Sequence, residues 1–203
     1  MPVIKKIAIL DYGMGNIFKI KQAVEYNKFG CSIIRDLKNL DQFDGLILPG
    51  VGSFAAAMKK LESLNAKKII RKFIKTKKLL GICLGMQLLL NKGEEIKPTK
   101  GLGFISGNVV RFPKNIKPHV GWNIVNIDKQ IKYKNKINNK NYFYFTHQFI
   151  VKPSKKYIFG TTKFCDIEFA SVIKNKNVYG VQFHPENSTK EGAKFISTIF
   201  HDH

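Results

Sequence analysis

Apolar residues come in short runs whose spacing changes once along the chain. Residues 4–10, 31–35, 45–48 and 79–82 are rich in Ile and Leu and read as strands buried on both faces. Between them the spacing turns helical. After Asn16, a good N-cap, Ile17, Ile20, Ala23 and Val24 share one face of a helix running to about residue 29. Two more helical stretches fall at about 53–63 and 65–76. A polar loop carrying Asp41 and Asp44 precedes the third strand. Strand and helix alternate, which predicts a parallel, doubly wound sheet.

Past Lys92 the chain becomes a series of short β runs, at 109–112, 120–127, 142–145, 149–151, 158–162, 170–173 and 178–183. Residues 128–141, rich in Lys and Asn, read as an exposed loop or hairpin tip. A closing amphipathic helix over 189–200 turns Phe195, Ile196 and Ile199 inward. The expected class is α/β: one domain over 1–203, with a mostly parallel central sheet flanked by helices and a smaller β-rich part in the C-terminal half.

Three of the predicted strands end in turns able to carry chemistry, at the carboxyl edge where open α/β sheets place their sites. The first, Asp11-Tyr12-Gly13-Met14-Gly15-Asn16, is not a dinucleotide fingerprint, because Phe18 stands where the third glycine belongs. The second, Pro49-Gly50-Val51-Gly52-Ser53-Phe54, offers backbone N–H groups to a developing oxyanion, although alone it is an ordinary strand-to-helix turn. The third, Gly81-Ile82-Cys83-Leu84-Gly85, has the spacing of a nucleophile elbow with sulfur in place of hydroxyl. A lone cysteine in an apolar run is usually inert. Glycines on both sides argue otherwise, since a sharp strand-to-helix reversal tolerates no neighbouring Cβ. A helix N-terminus beyond Cys83 is expected to favour its thiolate.

One further stretch supplies the base. In Gly180-Val181-Gln182-Phe183-His184-Pro185-Glu186, proline keeps His184 extended, so His184 and Glu186 project to one side. By itself such a tripeptide is a surface turn. Beside a cysteine elbow it completes a Cys83-His184-Glu186 triad for acyl transfer, with His184 as base and Glu186 orienting its ring.

Composition narrows the remaining classes. Thirty-five Lys and Arg against 14 Asp and Glu give a formal charge of +21. Only Arg35, Arg71 and Arg111 are arginine, and the lysines are scattered among asparagines. Readers of nucleic acid lean on Arg for bidentate base contacts, so the charge reads as compositional drift or as attraction to an acidic protein partner. Cys31, Cys83 and Cys165 are widely spaced, which fits a reducing cytoplasm and neither a disulfide framework nor a metal site. No run is long and apolar enough to span a membrane, and residues 1–6 lead into a strand without a secretory signal.

Taken together, Gly81-Ile82-Cys83-Leu84-Gly85-Met86-Gln87 and Phe183-His184-Pro185-Glu186 resemble the signature of the class I (triad) glutamine amidotransferases, which have a flavodoxin-like fold. Tyr12-Gly13-Met14-Gly15-Asn16, the Pro49–Phe54 turn, Pro118-His119-Val120-Gly121-Trp122-Asn123 and Tyr144-Phe145-Thr146-His147 are more narrowly similar to the glutaminase subunits of imidazole glycerol phosphate synthases. The resemblance implies that Cys83 attacks the glutamine side-chain amide, that His184 activates the thiol, and that Glu186 steadies His184. It implies an oxyanion hole from the backbone N–H groups of Val51 and Leu84, and a glutamine pocket lined by Gly50, Gly52, Gln87, His147 and Gln148. Tyr12, Asn16, His119, Trp122, Asn123 and Asn187 are the residues it places at a subunit interface. The implied partner is a (β/α)8-barrel synthase in a heterodimer, which takes up the ammonia to form imidazole glycerol phosphate and AICAR in histidine biosynthesis. Paralogues supply a sugar amidotransferase in surface-polysaccharide synthesis, and the acceptor lies on the other subunit. No cofactor or metal is implied. Asn187 follows His-Pro-Glu where the family has Lys, and Ile17-Phe18-Lys19 displaces a usual Ser.

Overall fold

The computed structural model describes residues 4–95, 97–131 and 141–201. Strands β1 (Lys6–Leu10), β2 (Gly30–Ile34), β3 (Gly45–Leu48) and β4 (Lys78–Ile82) alternate with α1 (Ile17–Tyr26), α2 (Phe54–Ser63) and α3 (Ala66–Phe73). After the one-and-a-half-turn helix α4 (Leu84–Leu88) come β5 (Lys92–Gly93), β6 (Thr99–Lys100), β7 (Gly107–Arg111), β8 (His119–Ile124) and β9 (Asn126–Ile127). They are followed by β10 (Tyr142–His147), β11 (Phe149–Pro153), β12 (Ile158–Phe164), β13 (Ile167–Asn175), β14 (Val178–Val181) and the closing α5 (Thr189–Phe200).

The parallel part of the sheet runs β2-β1-β3-β4-β14, the flavodoxin-like order. β13 pairs antiparallel with β14 and carries the same sheet on through β11 and β7. The β-rich half is therefore mostly an extension of the central sheet, and only β8 and β10 stand apart as a two-stranded ribbon.

Burial on both faces explains the apolar runs. Along β1, Ile7 and Ile9 pack with residues of α1 and α5, while Ala8 and Leu10 pack with residues of α2 and α3. At about 25 cal/mol per Å2 of buried apolar surface, each such Ile or Leu contributes roughly 1.5–3 kcal/mol.

Several boundaries differ from the sequence pattern. α1 closes at Tyr26 rather than near residue 29, because Asn27 turns its amide onto the carbonyls of Ala23 and Ala193 and Lys28 takes a positive φ of 62°. α3 ends at Phe73 and β14 ends at Val181, before the Gln182-Phe183 pair. The expected excursion at 128–141 lies, over 132–140, outside the described residues. Its start is not exposed throughout, since Lys129–Ile131 make a 3-10 turn that buries Ile131.

Candidate active site

Three turns converge at the carboxyl edge of the parallel strands. Cys83 caps α4 with φ 52° and ψ −109°, a conformation that side chains other than glycine's rarely adopt. This is the strain the flanking glycines permit. A Cβ on Gly85 would collide with the Leu48 carbonyl, so only glycine lets α4 start against β3. A Cβ on Gly50 would lie 2.8 Å from the Gly85 nitrogen and from Leu84 Cβ, which places the Pro49 turn directly on the elbow. Leu84 is the first residue of α4, where N–H groups have no intrahelical acceptor. Val51 is exposed.

Cys83 and His184 are delivered by neighbouring strands, with Ile82 of β4 opposite Val181 of β14 in parallel register. Nδ1 of His184 donates to Oε1 of Glu186 at 2.8 Å, with both side chains almost fully buried. Nε2 of His184 is buried and has no partner among the described residues. Burial alone would discharge this imidazole, but Cys83 and Glu186 outweigh it and push its pKa up to about 10. The Cys83 thiol itself is within 4.0 Å of the Thr146 carbonyl. α4 is too short to supply much of a dipole, so the expected help to the thiolate from a helix N-terminus is small.

Residues that sequence reasoning passed over hold this arrangement. Ser188 donates its hydroxyl to the His184 carbonyl at 2.6 Å and accepts from the Tyr144 amide at 3.0 Å, tying the base to β10. Gln182, fully buried, donates from Nε2 to Cys83 Sγ at 3.7 Å. Glu95 accepts the Phe54 N–H at 2.7 Å and so caps α2, where Ser53 makes no side-chain cap. Gly52, Gln87, Glu94, Glu95 and Phe149 surround a cavity of about 20 Å3 beside the Pro49 turn. Ser188 follows its motif as any loop serine would, and Glu95 sits in a Glu pair without periodicity; neither carries a local signal.

Two residues expected at a subunit interface lie inside the chain. Tyr12 is buried and donates its hydroxyl to the Pro49 carbonyl at 2.6 Å, where it braces the second turn. His119 is buried between the rings of Phe145 and Phe164, at centroid distances of 4.5 and 4.1 Å. Asn16 and Trp122 are exposed, and Asn123 and Asn187 are partly so. Lys19 Nζ donates to Asn187 Oδ1 at 3.1 Å, which brings an ammonium beside the residue after His-Pro-Glu. His147 is likewise buried, and Gln148 is half-buried next to it.

The tautomers of the two inner histidines follow from their partners. His147 Nδ1 faces the Phe149 carbonyl at 2.9 Å, so it carries the proton and its Nε2 accepts from His119 Nδ1 at 3.1 Å. His119 Nε2 then accepts from the Asn123 amide at 3.2 Å. Burial lowers the pKa of His119 to about 4 and that of His147 to about 3, so both stay neutral. Among the described residues no group of three or more His, Cys, Asp or Glu is placed to hold a metal ion. No helix among them is long and apolar enough to cross a membrane.

A buried Cys-His-Glu constellation at the edge of a flavodoxin-like sheet agrees with what comparison finds: this chain belongs to the class-I glutamine amidotransferases, whose family model matches residues 8–202. Within that family, it is 44% identical over 200 residues to the imidazole glycerol phosphate synthase subunit HisH 1 of Methanococcus maripaludis, covering 95% of this chain and 98% of the relative. It is 45% identical over 196 residues to subunit HisH of Methanocaldococcus jannaschii, covering 95% and 97%. Among solved structures, PurLQS from Thermotoga maritima superposes with a TM-score of 0.72 at 21% identity, over 97% of this chain and 98% of that one. A glutamine amidotransferase from the same organism gives 0.64 at 15% identity, covering 96% and 81%. These two likenesses speak for the fold alone.

Proposed function

We propose that this chain is the glutaminase subunit of an imidazole glycerol phosphate synthase. It hydrolyses glutamine and passes ammonia to a barrel-shaped synthase subunit in the cytoplasm. The observation that carries the reading is the buried, paired His184 just past the end of β14, the strand that pairs with β4 before Cys83, in a chain so similar to HisH subunits.

In this reading Cys83 Sγ attacks the amide carbon of glutamine as its proton passes to His184 Nε2. Backbone N–H groups of Val51 and Leu84 receive the oxyanion. The C–N bond breaks, and ammonia leaves with the proton returned by the imidazolium. Water then adds to the thioester, giving a proton to His184, and the C–S bond breaks to release glutamate and the thiol. Glu186 keeps Nδ1 protonated throughout, so Nε2 is always the reacting nitrogen.

An α-amino acid also needs a carboxylate for its ammonium group, and Glu94 and Glu95 stand on the cavity that Gly52 and Gln87 share. The partner's seat is the carboxyl edge around the site, where Phe18, Val51, Val120 and Trp122 are exposed apolar residues. Asn16, Asn123, Lys19 and Asn187 supply the polar rim.

The test separates the two subunits' chemistry. In the assembled complex, Cys83→Ala is expected to abolish synthesis from glutamine and leave synthesis from added ammonium intact. Loss of both would refute the division of labour.

A further inference from the structure

The sulfur of Cys83 has a second polar neighbour that the triad does not use. Gln182 follows β14, is fully buried, and is pinned by its backbone N–H to the Ser171 carbonyl at 3.0 Å. Its side-chain amide lies between Cys83 Sγ, at 3.7 Å, and the Gln87 amide, at 3.3 Å. Which end of the amide faces the sulfur decides its effect. An N–H would favour thiolate, whereas a carbonyl oxygen would oppose it.

The hydrogen-bond chain settles the orientation from one fixed point. The Phe149 carbonyl can only accept, so the Gln87 atom 3.2 Å from it is the amide nitrogen. That same nitrogen approaches Gln182, so the Gln182 atom facing it is the oxygen. The remaining Gln182 atom, toward the sulfur, is therefore the N–H donor. His147 adds its own Nδ1–H to the Phe149 carbonyl, which anchors that fixed point further.

We infer that Gln182 is a catalytic hydrogen-bond donor to the nucleophile, holding Cys83 as thiolate while His184 takes the proton. The inference rests on Cys83 being the nucleophile proposed above. In the thiol state the S–H has the Thr146 carbonyl at 4.0 Å as acceptor. Once ionised, the sulfur can only accept, and Gln182 donates to it beside the protonated His184. The contact is thus worth more to the thiolate than to the thiol, and α4 is too short to do this work.

The test reads the sulfur directly, without glutamine or partner. The rate of Cys83 alkylation by iodoacetamide is measured on the full chain from about pH 6 to pH 10, with peptide mass spectrometry to separate Cys83 from Cys31 and Cys165. Gln182→Met, near in volume but without a donor, is expected to slow alkylation about tenfold at neutral pH. The two profiles should converge at the alkaline end, where the thiol ionises unaided. An unchanged neutral rate overturns the proposal, as does a loss that persists in alkali and reports only access. Gln87→Met keeps Gln182 but frees its amide to turn, so a smaller loss of about threefold is expected. If Gln182→Met does not fold, Gln87→Met decides, and an unchanged rate there overturns the proposal. Because alkylation does not depend on glutamine hydrolysis, a chain that showed this behaviour yet hydrolysed no glutamine would count against the function alone.

Discussion

His184 and Glu186 stand two residues apart, and Nδ1 of the first donates to Oε1 of the second at 2.8 Å inside the protein. Pro185 keeps the chain extended at His184, with φ −100° and ψ 92°, so that both side chains leave on one side. The carboxylate then fixes the tautomer and supports a charged ring. Glu186→Gln keeps an acceptor but removes the charge. It is expected to lower kcat for glutamine about a hundredfold with little change in KM. Steady-state kinetics in the complex check this, and a fall in glutamine affinity alone would contradict the orienting role.

The raised pKa of His184 also has a stability consequence. A group held at about 10 in the folded chain and near 6.5 when unfolded binds more protons folded throughout that interval. Its contribution is therefore complete below about pH 6.5 and lost as pH rises toward 10. The gap in Tm between wild type and His184→Asn should narrow across that range, as differential scanning fluorimetry would register.

His119 and His147 act in the opposite sense. Both are held neutral by burial, at about 4 and about 3, so the unfolded chain takes up more protons as pH falls below about 6.5. Stability is expected to decline from pH 6.5 toward 4. His119→Phe keeps a ring beside Phe145 and Phe164 and removes one of the two groups, along with its bonds to His147 and Asn123, so its acid transition should be shallower. An unchanged acid slope by circular dichroism would mean that other groups set it.

The cavity beside Gly52 and Gln87 holds about 20 Å3, close to one water. If glutamine binds there, as proposed, the Pro49 turn has to move to admit it. The isolated chain is accordingly expected to turn over glutamine at least about a hundredfold more slowly than the complex, since a misaimed oxyanion donor alone costs that much. Full turnover by the purified chain would show that the turn is already in its working shape.

Lys19 and Asn187 predict how the subunits attract. With a charge of +21 and an ammonium beside Asn187, association with an acidic partner face should weaken as salt rises from low to physiological strength. Lys19→Met should reduce that dependence. A salt-independent affinity for the wild type would assign the contact to Trp122 and its apolar neighbours instead.

Much of this was legible in the residues. Strand-helix alternation announced the parallel half, and paired glycines marked Cys83 as an elbow. The β-rich half was readable only as strands, because short runs carry no sign of distant neighbours; the two-residue turn between β13 and β14 is local, but nothing local says that β14 lies beside β4 or that β11 pairs with β7. The burial of Tyr12 and His119 was hidden for a related reason. A tyrosine in a glycine-rich turn and a histidine in a motif look exposed until the Pro49 carbonyl and two phenylalanine rings are brought to them by distant parts of the chain. Gln182 lies inside a motif yet was passed over, since its role depends on a partner 99 residues away.

The seam between β4 and β14 bears on how the enzyme comes into being. β14 is the last strand of the chain, and it is inserted between β4 and β13. A nascent chain therefore carries its thiol, from residue 83 until residue 184 is made, with no His184 beside it. The nucleophile stays chemically idle until the final strand threads into the middle of the sheet. Closing so long a loop is slow compared with local helix formation. Assembly of Cys83 with His184 is thereby tied to completion of the sheet.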